Sequence, residues 1–343
     1  MRLKDLFKPE WWSERLYREE WTIGIVDQTA EEIVQHGFRL APRWLPRAER
    51  AMQADPSCLP FEDGRLLLMA EHMDYRSGRG EIWSAVVPAG SKLDSLAFYP
   101  WLAGTCHLSY PFPFVDARGR RCLTVESAEA DGLFLWREDG GKWILSGSIL
   151  PDLPAIDATL WRDSERWWLF CGLRNDLPNE RLYLYHAEKP EGPWSPHRAN
   201  PVKIDAASSR PAGPLFLAAG LLIRPAQDCS QTYGGAVVLN EVRRLDLDGF
   251  SETAIRRLEP IDSTYPHGLH TFCPAGESTL IDGKRLARRP LQLVGRPILK
   301  CKALLRSRAS RRGACVFGSC LPLPLANSSL GDTCRGKLLE APQ

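Results

Sequence analysis

This sequence of 343 residues lacks several common signals. No apolar run approaches the roughly 18 residues of a membrane helix, and residues 1–12 are charged and lack the apolar core of a secretion signal. We therefore expect no membrane span and a cytoplasmic location. The ten cysteines include no C-x-x-C pair, so we expect no bound metal, no other cofactor and reduced thiols. Six cysteines lie singly in or beside predicted strands: Cys58, Cys106, Cys122, Cys171, Cys229 and Cys273.

The C-terminal part lacks what the rest of the chain has. All twelve tryptophans precede residue 286, and residues 286–343 contain eleven Lys and Arg but only two acidic residues. Strand alternation also stops there. We expect residues 286–343 to form a disordered basic tail. A tail that binds nucleic acid is an alternative, but no interleaved aromatics or RNA motif support it, so we expect no nucleic-acid partner. A change of reading frame after Arg285 would explain the shift equally well.

What the chain does contain is a repeat. Asp55-Pro56 opens an apolar run, Glu62-Asp63-Gly64 forms a turn, and a second run ends on Glu71. Asp-Gly between apolar runs is a strong hairpin signal. A third run, residues 81–87, completes the unit. Further copies open at Tyr110, Asp157, Arg210 and Gly268-Leu269-His270.

A period near 50 residues with three or four short strands is typical of a β-propeller blade. Five copies predict an all-β fold, a five-bladed β-propeller over residues 21–285, with residues 1–20 as an N-terminal helix or arm. The fifth copy lacks outer strands, whereas the apolar run Trp21 to Val26 lacks a partner. We therefore expect ring closure by this N-terminal strand, which removes an open edge. The alternative is a β-sandwich with coincidental spacing. A short helix is expected at Thr29 to His36.

Residues at the starts of innermost strands gather at one end of a propeller axis. Two or more carboxylates, an arginine, a tyrosine and a histidine are therefore expected to converge. Paired carboxylates across a sugar can break a glycosidic bond, one as acid and the other as base or nucleophile. The candidate catalytic residues are Asp55, Asp157, Glu126 and Asp228. The candidate substrate-binding residues are Glu71, Tyr110, Arg210, Gln227, Tyr233 and His270.

Each candidate has a structural alternative. Asp55 before proline could satisfy backbone amides at a strand start, and Glu71 and Glu126 could be solvated or paired with arginine. Arg210 requires a carboxylate or a ligand if it lies near the core. His270 could be a hydrogen-bonded core histidine.

Several short motifs resemble one family. They are HLSYPF (107–112), VES (125–127), NPVK (200–203), SRPAG (209–213), RPAQDCSQTYGG (224–235), LNEV (239–242) and GLHT (268–271). They resemble the N-terminal propeller domain of glucosamine inositolphosphorylceramide transferases and their bacterial relatives, over about residues 20–285. More distantly, Asp55-Pro56, Asp157-Ala158 and Gly192-Pro193-Trp194 resemble the arabinanase, xylosidase and invertase propeller glycosidases.

The glycosidase resemblance implies a general base at Asp55 and a second aspartate, which tunes the acid, at Asp157. The acid of that family is usually a glutamate of the fourth blade, where this sequence has Arg210 instead. Glu126 or Asp228 would then have to serve as the acid. In the transferase family, glycosyl transfer is expected from a separate C-terminal domain, so transfer is not expected of this chain.

The sequence leads to two main functional hypotheses and a third, weaker one. The first is a glycosidase-like enzyme, and the second is a non-catalytic sugar-binding propeller that works beside a glycosyltransferase. Both predict a carbohydrate or glycolipid head group as the partner. The third is a scaffold without a ligand. Two carboxyls roughly 5–9.5 Å apart across the pocket would favour hydrolysis.

Overall fold

The structure is a computed structural model that describes residues 17–48, 50–91, 93, 96–130, 132–288, 316–321 and 323. The described residues form five small antiparallel sheets, each of four or five strands. Strands are numbered along the chain. Sheets of four antiparallel strands that share one core around an axis are the blades of a propeller. The prediction of a five-bladed β-propeller is confirmed.

Blades one and two follow the predicted hairpin unit. Blade one consists of β3 (Ala51–Pro60), β4 (Leu66–Asp74), β5 (Arg79–Val87) and β6 (Tyr99–Leu102). Blade two consists of β7 (Ser109–Val115), β8 (Arg121–Glu126), β9 (Gly132–Asp139) and β10 (Lys142–Pro151). Each blade runs from an innermost to an outermost strand in chain order.

Blades three and four continue the pattern. Blade three consists of β11 (Ala155–Arg162), β12 (Trp167–Leu173), β13 (Arg181–Ala187), β14 (Ser195–Pro196) and β15 (Lys203–Ile204). Blade four consists of β16 (Phe216–Ala218), β17 (Leu221–Asp228), β18 (Ala236–Leu245) and β19 (Phe250–Leu258). Both β14 and β15 pair with β13.

The closing blade joins the two ends of the described propeller. It consists of β20 (Phe272–Ala275), β21 (Ser278–Arg288), β1 (Tyr17–Val26) and β2 (Arg43–Trp44), with β20 innermost. β1 pairs with β21 in an unbroken register from Tyr17↔Arg288 to Val26↔Thr279. Ring closure by an N-terminal strand is therefore confirmed, and β1 begins four residues before the predicted run. Residues 1–16 of the predicted arm lie outside the described residues.

Between β1 and β2 lies one short helix, α1 (Ala30–His36). The Thr29 hydroxyl accepts from the Glu32 amide and the Glu32 carboxylate accepts from the Thr29 amide, which is a capping box. The predicted helix is confirmed. The described residues contain no helix that is long and apolar enough to span a membrane.

The core is divided among the blade interfaces. In the described part of the chain, five apolar clusters each lie between two neighbouring blades. Alternate side chains of β4 belong to two of these clusters. Leu67 and Met69 pack against blade two, whereas Leu68 and Ala70 pack against the closing blade. Neighbouring blades therefore depend on each other for burial.

Part of the predicted basic tail belongs to the folded structure. Residues 286–288 extend β21. Farther along, Phe317 forms an isolated bridge with Gly104, and its ring lies 4.8 Å from that of Phe134 and 5.2 Å from that of Trp136. This segment differs from the expected disorder because its aromatic and apolar residues cover blade two. The rest of the tail lies outside the described residues.

One expectation about the cysteines is wrong. Cys106 is disulfide-bonded, although its spacing in the sequence gave no sign of a partner. The other five cysteines predicted to be reduced are free in the structure: Cys58, Cys122, Cys171, Cys229 and Cys273. The cytoplasmic location stays a prediction.

Candidate functional site

The inner strands of the first three blades open on the same backbone distortion. Asp55 on β3, Tyr110 on β7 and Asp157 on β11 have φ values of 51°, 43° and 49°. At each, the pairing with the next strand shifts by a β-bulge. A non-glycine residue in the left-handed region costs about 1–3 kcal/mol, and bulges re-aim side chains. The three positions aligned by the repeat therefore share one strained conformation that directs them towards the axis.

Asp55 lies at the centre of the first group. Its carboxylate accepts from the Tyr110 amide at 3.2 Å and from the Thr271 hydroxyl at 3.2 Å. His270 Nε2 lies 3.6 Å from the same carboxylate. Burial raises the pKa of Asp55 to about 6, against the opposing charge of His270. Asp55 thus links blade one to blade two and to the closing blade.

Asp282, on β21, completes this group. Its Oδ2 lies 2.5 Å from His270 Nδ1 and accepts from the Asp55 amide at 3.2 Å, while Oδ1 accepts from the amides of His270 and Thr271. Burial alone would raise the pKa of Asp282, but the charge and hydrogen bonds of His270 lower it. The pKa of His270 is raised by Asp282 and Asp55 although burial opposes this. With His270 protonated, the group is an ion pair buried at the blade closure.

This group is also the set that could hold a metal ion. Asp55, His270 and Asp282 each offer one ligand atom, and these atoms lie within 4.8 Å of one another. Two carboxylates and an imidazole suit several divalent ions. A protonated His270, hydrogen-bonded to Asp282 and 3.6 Å from the Asp55 carboxylate, accounts for the same geometry as a buried ion pair.

A second group surrounds Asp157. Arg210 Nε donates to the carboxylate at 2.5 Å and Gln227 donates at 3.1 Å, while Arg210 also reaches Asn179. The Asp157 amide donates to Glu126 at 2.9 Å. Burial and the charge of Asp157 raise the pKa of Glu126 to about 8, although Arg210 opposes the rise. Glu126 is therefore mostly a neutral acid at pH 7.

Glu71 is the third acid of the site. It is buried within β4, and Oε1 lies 3.3 Å from His107 Nε2. His107 Nδ1 accepts from the Gly80 amide, so Nε2 carries the proton in neutral His107. Burial, together with the charges of Asp55 and Glu126, raises the pKa of Glu71 well above its usual value. Glu71 is thus also held in its neutral form.

Two cavities open beside these groups and share Gly78. The first, of about 430 Å³, is lined by Glu71, Trp21, Tyr233 and His270 among others. The indole of Trp21 stacks on the His270 ring at 3.9 Å. We call this the aromatic cavity. The other described residues that line it are Arg18, Glu19, Met52, Met73 and Tyr75.

The second cavity, of about 400 Å³, is polar and is lined by Glu126, Arg210, His107, Glu129 and Arg174 among others. We call this the polar cavity. Arg210 projects its guanidinium between Asp157 and the ring of Tyr233, 5.0 Å from the ring centre. The two cavities share Gly78, Tyr233 of the first contacts Arg210 of the second, and one neutral glutamate lines each.

These residues can now be placed among known proteins. The family model described as glucosamine inositolphosphorylceramide transferase 1, N-terminal, matches residues 59–262. The chain belongs to this family. The match contains both neutral glutamates, Arg210 and Tyr233. Asp55, Asp282 and Trp21 lie outside it on strands β3, β21 and β1, and His270 lies outside it just before β20.

Curated relatives agree with the family. The chain is 35% identical over 156 residues to glucosamine inositolphosphorylceramide transferase 1 of Oryza sativa subsp. japonica. This alignment covers 43% of this chain and 21% of that protein. It is 29% identical over 184 residues to the protein of the same name from Arabidopsis thaliana, covering 52% of this chain and 22% of that one. The alignments thus span about a fifth of the length of these relatives.

Solved structures with a similar backbone are glycoside hydrolases. A thermostable family-43 glycoside hydrolase matches with a TM-score of 0.48 at 11% identity, covering 65% of this chain and 86% of that one. An exo-beta-1,3-galactanase from Clostridium thermocellum matches with a TM-score of 0.48 at 9% identity, and the match covers 67% of this chain and 59% of that one.

The structure divides the predicted site residues into three sets. Glu71, Tyr233 and His270 line the aromatic cavity, and Glu126 and Arg210 line the polar cavity. Asp55, Asp157, Tyr110 and Gln227 are buried behind the cavity walls. The Tyr110 hydroxyl contacts Thr159 at 2.7 Å and accepts from the Gly213 amide at 2.8 Å. Tyr110 and Gln227 were predicted to bind substrate, but their polar groups are engaged within the protein.

Asp228 does not join the site, and its assignment as an alternative acid is corrected. Successive side chains of a strand point to opposite faces. Gln227 faces Asp157, so Asp228 points away, where it accepts from Ser230 and pairs with Arg257 at 2.8 Å. Burial raises the pKa of Asp228 less than these partners lower it. An ionised, paired carboxylate cannot donate a proton at neutral pH.

Sequence reasoning missed four residues of the site: Trp21, Thr271, Asp282 and Lys284. Three of them lie on β1 and β21. The Lys284 ammonium is buried against Tyr233 O, Thr232 and Glu19, and burial lowers its pKa. The sequence signal that could have revealed Asp282 and Lys284 was a charged residue within a strand that is otherwise buried.

Proposed function

We propose that the axial site binds a carbohydrate. The observation that carries this proposal is the pair of neutral carboxyl groups, Glu71 and Glu126, each lining one of two adjoining cavities. A protonated carboxyl both donates and accepts hydrogen bonds, as a sugar hydroxyl does. Trp21 and Tyr233 supply apolar ring surface in the aromatic cavity, which suits the C–H face of a sugar.

The family supports a glycoconjugate as ligand. Its curated members are named as glucosamine inositolphosphorylceramide transferases. The alignments span about a fifth of those proteins, so we do not propose that this propeller transfers a sugar. We propose that it binds a glycan or a glycolipid head group and works beside a glycosyltransferase.

Hydrolysis is the second candidate, and one observation favours it. The pKa values of Asp55, about 6, and of Glu126, about 8, are separated so that at pH 7 the first is mostly ionised and the second mostly protonated. Such a split is what a base and an acid require. Asp55 is, however, buried and bonded to Tyr110 and Thr271, and it lines neither cavity. Binding is therefore the better supported function.

Calorimetric titration of the full chain with glucosamine, neutral monosaccharides and neutral oligosaccharides tests the proposal. Glu126→Gln keeps the shape and polarity of a neutral acid, so binding should be retained within about threefold. Glu126→Ala should weaken binding about tenfold by removing a hydrogen bond. Glu165→Gln, in an exposed turn of blade three, is the matched control. Affinity should also fall as pH rises through about 8, where Glu126 ionises.

The two candidates separate on turnover. A hydrolase would release product from a glycoside, and Glu126→Gln and Asp55→Asn would each abolish the release. Binding that persists in Glu126→Gln without any turnover in the wild type identifies a binding protein. Absence of heat with every glycan, or equal affinity in wild type and Glu126→Ala, would overturn the proposed site.

A further inference from the structure

Three arginines converge on one carboxylate at the rim of the aromatic cavity. Glu20, on β1, accepts from Arg18 at 2.5 Å, from Arg47 at 2.9 Å and from Arg285 at 2.8 Å and 2.9 Å. The carboxylate is buried, whereas the arginine side chains remain 33%, 44% and 33% exposed. The guanidinium groups therefore cover the carboxylate and face outward.

The charges of this arginine cluster do not balance. Burial raises the pKa of Glu20, but hydrogen bonds from the three arginines outweigh it and lower the pKa to about 2. Glu20 is therefore ionised, and three guanidinium groups share one negative charge. Within the described part of the chain, Glu20 is the carboxylate that pairs with these arginines. The cluster carries an excess charge of +2.

Two polar atoms beside the cluster lack a partner. Arg18 Nε and the Tyr75 hydroxyl are buried without a hydrogen bond among the described residues. The Arg18 guanidinium lies over the Tyr75 ring at 3.8 Å. Burial and the charge of Glu20 raise the pKa of Tyr75 to about 12, so its hydroxyl remains a donor. Leaving a buried donor unpaired is unfavourable, and a group rich in acceptor oxygens would satisfy both atoms.

The position of the cluster connects it to the candidate site. Arg18 and Tyr75 line the aromatic cavity together with Trp21 and Glu71. Arg18, Glu20, Arg47 and Arg285 lie outside residues 59–262, so similarity to the family assigns them no role.

We propose that Arg18, Arg47, Arg285 and Tyr75 form a phosphate-binding site at the rim of the aromatic cavity. A phosphate monoester carries close to two negative charges at neutral pH and several acceptor oxygens, which match the excess charge and the unpaired donors. Arginine is well suited to phosphate because its planar donors bind two oxygens at once. That the phosphate belongs to the glycan rests on the proposed function. The ligand class is then a phosphorylated sugar.

Titration of the full chain at low salt with inorganic phosphate, glucosamine 6-phosphate and glucosamine tests this site. We expect inorganic phosphate to bind, and the phosphorylated sugar to bind at least tenfold more tightly than glucosamine. Arg47→Gln should weaken phosphate binding about tenfold, because Arg47 is exposed and its loss removes a charged hydrogen bond. Raised salt should weaken phosphate binding in the wild type.

Two further variants make the test specific. Tyr75→Phe should weaken phosphate binding several-fold without lowering the unfolding temperature, since the hydroxyl has no partner among the described residues and the ring under Arg18 is kept. Arg65→Gln is the matched control, because Arg65 has similar exposure, pairs with Asp63 and lies at the opposite end of β4. It should leave phosphate binding unchanged.

The outcomes separate this site from the proposed function. Phosphate binding that is lost in Arg47→Gln and kept in Arg65→Gln supports the site, even if no neutral sugar binds. Glucosamine binding without any phosphate binding would overturn the site and leave the proposed function standing. Equal phosphate affinity in wild type, Arg47→Gln and Tyr75→Phe would also overturn it.

Discussion

Replacing Asp282 with Asn tests whether the buried ion pair at the blade closure stabilises the ring. Oδ2 of Asp282 accepts from His270 Nδ1 and from the Asp55 amide, and Oδ1 accepts from the amides of His270 and Thr271. An asparagine has one acceptor oxygen, so its NH₂ group must face two donors. The variant also leaves a protonated His270 beside a neutral partner.

The loss should be large because the side chain is fully buried. Removing one partner of a buried ion pair costs about 3–5 kcal/mol. We expect a decrease of this size in the free energy of unfolding at pH 5.5, measured by urea denaturation with tryptophan fluorescence. In a double-mutant cycle with His270→Gln, the coupling energy should exceed about 1.5 kcal/mol. Asp63→Asn, in the exposed turn of blade one, should change the urea midpoint little.

The effect should also depend on pH in a defined direction. The pKa of His270 is raised in the folded state. Its pairing therefore stabilises the fold fully below the ordinary histidine pKa of about 6.5, and the contribution is lost as pH rises through the raised value. The difference between wild type and Asp282→Asn should accordingly be larger at pH 5.5 than at pH 9. A loss under about 1 kcal/mol at pH 5.5, or one independent of pH, would refute the buried ion pair.

Three other predictions concern stability. Glu126→Gln should flatten the pH dependence of unfolding by about 5 kcal/mol, because the pKa raised from 4.5 to about 8 makes wild-type stability fall as pH rises across that range; parallel curves would contradict this. Glu252→Gln should cost about 3–5 kcal/mol in urea denaturation, since it leaves Arg224, which is 1% exposed, without its carboxylate; a neutral effect would show that the charge is compensated elsewhere. Gly213→Ala should lower the unfolding temperature far more than Gly220→Ala, because only the first added Cβ meets a backbone oxygen, at 2.2 Å, and both glycines have positive φ; equal shifts would contradict the close approach.

The repeat in the sequence identified three residues that lie buried behind the candidate site. Asp55, Tyr110 and Asp157 were aligned by period alone, and all three adopt the same left-handed backbone at a bulge. Local signals sufficed because each blade is built from hairpins between adjacent segments. The same signals placed Glu71 and Glu126 at equivalent positions, opposite Ala54 and Ser109 of the inner strands.

The residue pairing of the closing blade could not be predicted from the sequence. Its registers join strands from opposite ends of the chain, and no local signal specifies which residue of β1 faces which residue of β21. Trp21 was therefore recognised only as part of an apolar run, and Arg18 and Glu20 were assigned to an arm. Asp282 was not recognised, since a buried aspartate resembles a strand end. The prediction that Asp228 belongs to the site was wrong because a strand read one residue out of phase exchanges its two faces.

The pairing of Tyr17 with Arg288 has a consequence for synthesis. The apolar strand that seals the ring leaves the ribosome early, whereas its partner is among the last parts of the propeller to be made. At about 5–20 residues per second, the interval is on the order of tens of seconds. During that time β1 has only the two-residue strand β2 as a partner, so the edge that later pairs with β21 stays open. Nascent chains should therefore be most prone to misassociation until β21 has been made, and a circular permutant that begins between two blades would shorten this interval.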